Sequence, residues 1–210
     1  MNKVFLYLYP IEEYSNVFNF EDEYYDKNNI RRPFEVLNET IQRRYRDNGF
    51  KVVFALYPDK KIFGILPKQE DRIIYTDVPF TKASGYNSDG SRKAYNEITY
   101  PNEQELLSQL GNVDELVIGG YHANDCVKRV GEVAISNGIN TLIDLDMTDL
   151  FFNLYKQDDY FDLESYDPNR FKSYMLKQMN KYGDDLAERM FNRNYYSSVY
   201  GFDKLNNKQK

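Results

Sequence analysis

The chain has 210 residues, 41% of them hydrophobic, which is enough for one domain with a substantial core. Its formal net charge of −6 argues against a broad nucleic-acid-binding surface, because such a surface needs clustered lysine and arginine. No apolar run approaches the roughly 18 residues that a membrane span requires. We therefore predict that neither a nucleic acid nor a membrane is a partner.

The counts of cysteine and histidine restrict the chemistry further. Cys126 is the single cysteine, so no intrachain disulfide can form, and the first residues lack a signal-peptide cleavage pattern. Both observations favour a cytoplasmic protein. A single histidine, His122, excludes a site with several histidine ligands, and we predict neither a metal nor a cofactor. The basic run at residues 43–46 is interrupted by Tyr45, and we predict that it is the solvated face of a helix.

Short apolar runs alternate with helical patterns along the chain. The predicted strands are residues 4–9, 51–57, 71–77, 114–120 and 139–145. The predicted helices are residues 33–48, 102–110 and 124–137, with loops at 18–32 and 84–91. This alternation predicts a three-layer α/β/α fold with a mostly parallel sheet covered on both faces.

The pattern changes beyond Phe152. Residues 153–166 are acidic and rich in tyrosine, and Pro168 begins a helical pattern that runs from Asn169 to about Arg193. We therefore predict an α/β domain at residues 1–152. The prediction for residues 153–210 is a C-terminal helical extension that packs on the same domain.

The turn between the predicted strand at 114–120 and the following helix carries Cys126. In an open parallel sheet, ligands bind at the carboxyl ends of the strands, where this turn lies. A cysteine in the first turn of a helix is close to the positive end of the helix dipole, which predicts a lowered thiol pKa and suits a nucleophile. The alternative is a small buried hydrophobe, which most free cysteines are. His122 is either the base for Cys126 or a structural residue.

The sequence around Cys126 resembles the isochorismatase/nicotinamidase family of cysteine hydrolases. That family carries a strand and a glycine, then after five residues Cys-Val, a helix, another glycine and a strand that ends in Asp. The matching residues are 117–127 (Val-Ile-Gly-Gly-Tyr-His-Ala-Asn-Asp-Cys-Val), 132–134 (Glu-Val-Ala), 137–139 (Asn-Gly-Ile) and 143–144 (Ile-Asp). The resemblance covers residues 3 to 146 and implies an isochorismatase-like, Rossmann-like fold.

The resemblance also implies roles for residues near the turn. Cys126 falls on the position of the nucleophile that attacks a carbonyl carbon. A cis peptide bond is implied between Tyr121 and His122. The backbone N–H groups of His122 and Cys126 are implied as an oxyanion hole.

The two catalytic partners of the family's cysteine do not carry over cleanly. The aspartate that follows the first strand is replaced by Tyr9, and Glu12 or the next residue is the candidate acid. The family's lysine is best matched by Lys93, with Lys82 as a weaker candidate. The catalytic residues predicted from the sequence are thus Cys126, Lys93 and Glu12, with His122, Tyr121 and Tyr9 lining the ligand site.

Three functions remain open at this stage. The first is a hydrolase that acts on a small amide or vinyl ether through Cys126. The second is a catalytically degenerate family member that binds a small ligand or another protein in the same crevice. The third is an interaction role carried by residues 153–166 and the terminal helix. We further predict a homo-oligomer.

Overall fold

The computed structural model describes residues 1–15, 33–87, 89–149 and 196–198. Its strands are β1 (Lys3–Leu8), β2 (Lys51–Leu56), β3 (Arg72–Tyr75), β4 (Glu115–Gly120), β5 (Asn140–Thr148) and β6 (Tyr196–Ser198). They form one sheet in the order β3-β2-β1-β4-β5-β6. The first five strands are parallel to their neighbours, and β6 pairs with β5 in the antiparallel direction.

Helices connect the parallel strands. They are α1 (Glu12–Ser15), α2 (Pro33–Thr40), α3 (Phe80–Ala83), α4 (Glu103–Ser108) and α5 (Lys128–Ser136). A π-helical turn (Ile41–Tyr45) and a 3-10 turn (Arg46–Asn48) prolong α2, a second π-helical turn (Ala123–Val127) leads into α5, and a further 3-10 turn covers Tyr95–Glu97. Because right-handed crossovers are the rule, connections that move in opposite directions along the sheet place α2 on one face and α4 with α5 on the other. The predicted mostly parallel three-layer α/β/α fold is confirmed.

Local signals in the sequence explain where these helices begin and end. Pro33 occupies the first position of α2, where its missing N–H has no helical partner to lose. The 3-10 turn after α2 stops at Gly49, whose φ of 76° lies in the left-handed region. Asn102 caps α4, since its side chain accepts hydrogen bonds from the backbone N–H groups of Gln104 and Glu105 at 3.1 and 3.2 Å.

The sheet reverses its direction of progress between β1 and β4. The chain moves from β1 outward to β2 and β3, then crosses back to β4 and continues to β5. In such a sheet a crevice opens at the carboxyl ends of the two strands that flank the reversal. At this point Gly120 has a φ of 103°, and a Cβ atom there would lie 2.1 Å from the carbonyl oxygen of Leu8. Glycine is therefore required where β1 and β4 end.

The prediction that residues 43–46 form a solvated helix face is wrong for Arg44 and Tyr45, although Arg43 is exposed. Tyr45 is fully buried, and the Arg44 side chain is only 4% exposed. Arg44 donates hydrogen bonds to the carboxylates of Asp144 at 2.6 Å and Asp146 at 3.1 Å, both buried on β5. A buried guanidinium is tolerated because it is paired, and the pattern of apolar residues gives no sign of such partners.

The C-terminal part of the predicted architecture is only partly described. Tyr196–Ser198 forms β6 at the edge of the sheet, a strand that the sequence did not predict. The predicted helix from Asn169 to about Arg193 and the tyrosine-rich segment at 153–166 lie outside the described residues. The division into residues 1–152 and 153–210 stays a prediction. Across the described ranges, no helix is both long enough and apolar enough to cross a membrane.

Candidate functional site

The candidate site lies at the reversal point of the sheet, where β1 and β4 end side by side. The backbone N–H of Tyr121 donates to the carbonyl of Leu8 at 3.0 Å, which ties the two strand ends together. Tyr9 follows β1 with a positive φ of 56°, and its N–H donates to the carbonyl of Ala55 at 2.9 Å. Its buried ring stacks on Tyr57 with the centroids 4.5 Å apart. The position of the family's aspartate is therefore filled by a packed aromatic ring.

Cys126 lies in the π-helical turn that follows β4. The predicted cis peptide bond between Tyr121 and His122 is present. The chain then folds back on itself, since the N–H groups of Asp125 and Val127 both donate to the carbonyl of His122, at 3.2 and 3.1 Å. The turn holds Cys126 beside the His122 backbone, which hydrogen-bonds to the thiol. The Cys126 side chain is buried, with 8% of its surface exposed.

The environment of the thiol favours its protonated form. Burial is the largest cause and raises the pKa of Cys126 from its ordinary value of 9.0 to about 12. The negative charge of Asp125 and, more weakly, of Glu103 acts in the same direction. The positive charge of Arg129 and the backbone hydrogen bond from His122 oppose it without reversing it. The predicted lowering of the thiol pKa by the helix dipole is therefore wrong, because burial and the neighbouring carboxylates outweigh it.

Tyrosines from three separate segments surround the thiol. Tyr9, Tyr14 and Tyr57 all interact electrostatically with Cys126. The hydroxyl oxygens of Tyr14 and Tyr57 are 3.4 Å apart, and Phe80 packs edge-on against both rings with centroids at 5.7 and 5.4 Å. Burial raises the pKa of each of these three tyrosines, so their hydroxyl groups are neutral hydrogen-bonding groups. We call Tyr9, Tyr14 and Tyr57 the tyrosine cluster.

The His122 imidazole lies within ion-pair distance of Asp149, a residue that the sequence analysis did not identify as a site residue. Its Nδ1 lies 3.2 Å from Oδ1 of Asp149, which follows β5, and the N–H of Asp149 donates to the carbonyl of Gly120 at 3.0 Å. The imidazole is half-exposed, at 47%, whereas the Asp149 carboxylate is 9% exposed, and the ring packs edge-on against Tyr14 at 4.5 Å. Burial lowers the pKa of His122, but Asp149 and then Asp125 outweigh it and raise the pKa above its ordinary value of 6.5.

A second charged group borders the site on the side of α4 and α5. Arg129 donates from Nε to Glu103 at 2.6 Å, and its guanidinium lies 4.0 Å from the ring centre of Tyr100. Burial raises the pKa of the nearby Asp125, although the charges of Arg129 and His122 act against this shift. These charges fix the electrostatic surroundings of Cys126 from the face that carries α4 and α5.

The other two predicted catalytic residues are Glu12 and Lys93. Glu12 is the exposed first residue of α1, and its neighbour Glu13 pairs with Lys60. Lys93 donates to the carbonyl of Thr81. Among the residues that the structure describes, the groups that shift the pKa of Cys126 include neither Glu12 nor Lys93. Their catalytic roles stay predictions.

Lys82, the weaker lysine candidate, is exposed on α3. The structure thus groups Tyr9, Tyr121, His122 and Cys126 and adds Asp149. Asp149 follows the carboxyl end of a strand, and that position was its only signal in the sequence. Within the described ranges, no cluster of three or more His, Cys, Asp or Glu side chains could hold a metal ion.

The sheet order and the helices that connect its parallel strands define a three-layer α/β/α architecture. No family model matches the sequence, and no curated protein matches it. Among solved structures, the chain is similar to N-carbamoylsarcosine amidase from Thermoplasma acidophilum, with 16% identity over 70% of this chain and 84% of that chain and a TM-score of 0.41. An isochorismatase family protein from Desulfovibrio vulgaris has 12% identity over 70% and 81% of the two chains and a TM-score of 0.43.

A MAR1 ribonuclease from Caenorhabditis elegans has 9% identity, with 94% of this chain and 93% of that chain covered and a TM-score of 0.43. Identities and TM-scores at this level carry no conclusion about the activity of this chain.

Proposed function

We propose that this protein hydrolyses a small, uncharged amide or vinyl ether through Cys126. The observation that carries the proposal is the position of the thiol: it lies in the turn after the cis bond at the reversal point of the sheet, next to the His122 backbone. Backbone N–H groups at this position can stabilise an oxyanion as a tetrahedral intermediate forms. The neutral hydroxyl groups of the tyrosine cluster favour an uncharged, hydrogen-bonding substrate.

The raised thiol pKa sets one requirement for this chemistry. A thiol with a pKa of about 12 is almost entirely protonated at neutral pH, so the nucleophile must be deprotonated during attack rather than beforehand. This is the situation of a serine hydrolase, in which a base removes the proton as the bond to carbon forms. The proposal therefore needs a base close to Cys126.

The test is acylation of the single cysteine by an activated ester. We expect p-nitrophenyl acetate to release close to one equivalent of p-nitrophenolate in a burst and to add one acetyl group to Cys126, detected by mass spectrometry. Cys126→Ala should abolish the burst, and the surface variant Glu70→Gln should retain it. A panel of small amides and vinyl ethers then searches for turnover. A wild-type protein that gives no burst, or a Cys126→Ala protein that keeps it, contradicts the proposal.

One observation favours a second function, that of a catalytically degenerate ligand-binding or protein-interaction module. The aspartate that the family resemblance requires is replaced by Tyr9, which is 1% exposed and stacked on Tyr57. Members of a catalytic set act as a unit, so this loss removes most of the rate unless another base takes over. Under this alternative, Cys126→Ser leaves ligand-induced thermal stabilisation unchanged, and no covalent adduct forms on the wild-type protein.

The predicted homo-oligomer and cytoplasmic location belong to this proposal as well. Light scattering of the full chain measures the oligomeric state, and a monomer at micromolar concentration contradicts the predicted homo-oligomer.

Deletion of residues 153–210 tests the interaction role of that segment: an unchanged oligomeric state argues against it. Fractionation of cells expressing the tagged chain tests the location, which is wrong if the tag is recovered outside the cytoplasm.

A further inference from the structure

The imidazole of His122 has two nitrogen atoms with different surroundings. Nδ1 lies 3.2 Å from the Asp149 carboxylate. No second hydrogen bond to the ring is formed within the part of the chain that the structure describes. Because a carboxylate can only accept, Nδ1 carries the hydrogen, and in the neutral ring Nε2 holds a lone pair. With the ring 47% exposed, Nε2 is the atom that can exchange a proton with a bound molecule.

Asp149 is fixed more firmly than its position after a strand suggests. Its carboxylate is 9% exposed, and its backbone N–H donates to the carbonyl of Gly120, the last residue of β4. Just before it, Thr148 pairs with Gly120 across the sheet and donates from its hydroxyl to the carbonyl of Asp144 at 2.7 Å. The ends of β4 and β5 therefore hold the carboxylate at a set distance from the turn that carries His122.

We propose that His122 and Asp149 form the general-base pair of this site, with His122 as the base for the Cys126 thiol and Asp149 as the residue that positions the imidazole. The inference rests on the proposed hydrolase function and supplies the base that the sequence lacks. The thiol lies beside the backbone of His122, the residue that directly precedes the five-residue turn carrying Cys126. The base role requires Nε2 to reach the sulfur directly or through one water molecule.

The proton balance of the reaction follows from this arrangement. For an amide, or an ester such as p-nitrophenyl acetate, the Cys126 sulfur attacks the carbonyl carbon, the S–H proton moves to Nε2 of His122, and the carbonyl π electrons move onto oxygen. Collapse of this intermediate breaks the bond to the leaving nitrogen or oxygen, which takes the proton from Nε2. Water then attacks the thioester carbon and gives a proton to Nε2. Collapse of the second intermediate breaks the C–S bond and releases the acid, and the leaving sulfur takes the proton from Nε2.

The charged and titratable groups that face His122 support this role. Asp149 follows β5, Asp125 lies on the same turn, and Tyr14 contacts the ring from α1. Both carboxylates raise the pKa of His122, and so they stabilise the imidazolium that forms during attack. The neutral ring is the active base, so acylation should become faster as the pH rises through a value above 6.5.

The experiment measures single-turnover acylation of Cys126 by p-nitrophenyl acetate from pH 5 to 9. We expect His122→Gln and Asp149→Asn to slow acylation by about 10² to 10⁴, the usual contribution of a general base. Added imidazole should restore part of the His122→Gln rate, and Glu70→Gln, which alters an exposed carboxylate, should match the wild type. Wild-type rates in both variants overturn the inference while the proposed function stands, whereas a wild-type protein without a burst overturns both.

A second measurement does not depend on activity. The chain has one histidine, so its ring protons give a single assignable NMR titration. The pKa of His122 should fall in Asp149→Asn, because the loss of the carboxylate destabilises the imidazolium. An unchanged His122 pKa in a folded Asp149→Asn protein contradicts the pairing. If His122→Gln does not fold, the acylation rate of Asp149→Asn and the NMR titration of His122 still test whether the two residues form a general-base pair.

Discussion

The resting reactivity of Cys126 is the most direct test of its environment. Burial raises the thiol pKa from 9.0 to about 12, so the thiolate fraction at pH 7 falls about 1,000-fold relative to an unfolded chain. A more basic thiolate is a better nucleophile, with a Brønsted slope of about 0.4–0.5, which recovers about 20-fold over this range. The net expectation is that iodoacetamide alkylates native Cys126 at least about 50-fold more slowly than the urea-unfolded chain.

The measurement is simple because the chain has only one cysteine, so each alkylated molecule gains one adduct. Rates are followed by mass spectrometry from pH 6 to 10, in buffer and in urea. In buffer the rate should still be rising at pH 10, whereas in urea it should level off near the ordinary pKa of 9.0. Native labelling as fast as in urea, or a plateau below pH 8 in buffer, would refute the reasoning and point to a thiolate stabilised by the helix dipole.

Two further predictions concern stability and are measured by urea unfolding. Arg44→Met should lower the free energy of unfolding by about 3–5 kcal/mol, because it leaves the buried carboxylates of Asp144 and Asp146 without their cation. Gly120→Ala should lower it by about 3 kcal/mol or more, since its positive φ of 103° and the 2.1 Å approach of its Cβ to the Leu8 carbonyl add strain and overlap.

Matched controls separate these effects from general sensitivity to substitution. Arg43→Met removes an exposed ion pair with Glu39 one turn away, and should cost less than about 1 kcal/mol. Gly49→Ala shares a positive φ, 76°, but has no atom within 4 Å of its Cβ, and should cost about 1–2 kcal/mol. Each prediction is contradicted if the variant and its control lose the same stability.

The central part of the fold could be predicted because its strands follow one rule. Strands such as β1, β2 and β4 are buried over nearly their whole length and therefore read as continuous apolar runs. The end of β5 does not follow that rule. The prediction stopped at Leu145, yet the strand continues to Thr148 and includes the buried Asp146. Polar residues inside a strand are invisible to hydrophobic periodicity when their partner, Arg44, lies far away in the chain.

The candidate site, like the fold, could be predicted only in part from the sequence. The position of Cys126 in a turn after a strand came from the local sequence pattern, whereas the cis bond at His122 and the replacement at Tyr9 were implied by the family resemblance. The direction of the shift in the thiol pKa could not be predicted, because its largest cause is burial, which depends on the packing of the whole site. A helix dipole can be predicted from a sequence, whereas the desolvation that opposes it requires the three-dimensional structure.

The buried ion cluster of Arg44 has a consequence for how this protein opens. Arg44 lies in the π-helical turn that prolongs α2, and its guanidinium pairs with two aspartates in the bulged part of β5. Asp149 follows a few residues later in the chain. Local unfolding of α2 and this turn would separate Arg44 from Asp144 and Asp146. The end of β5 would then no longer hold Asp149 in place beside the imidazole of His122. We therefore expect the helix and the edge of the sheet at the candidate site to open as one cooperative unit, with backbone amides that exchange with deuterium together.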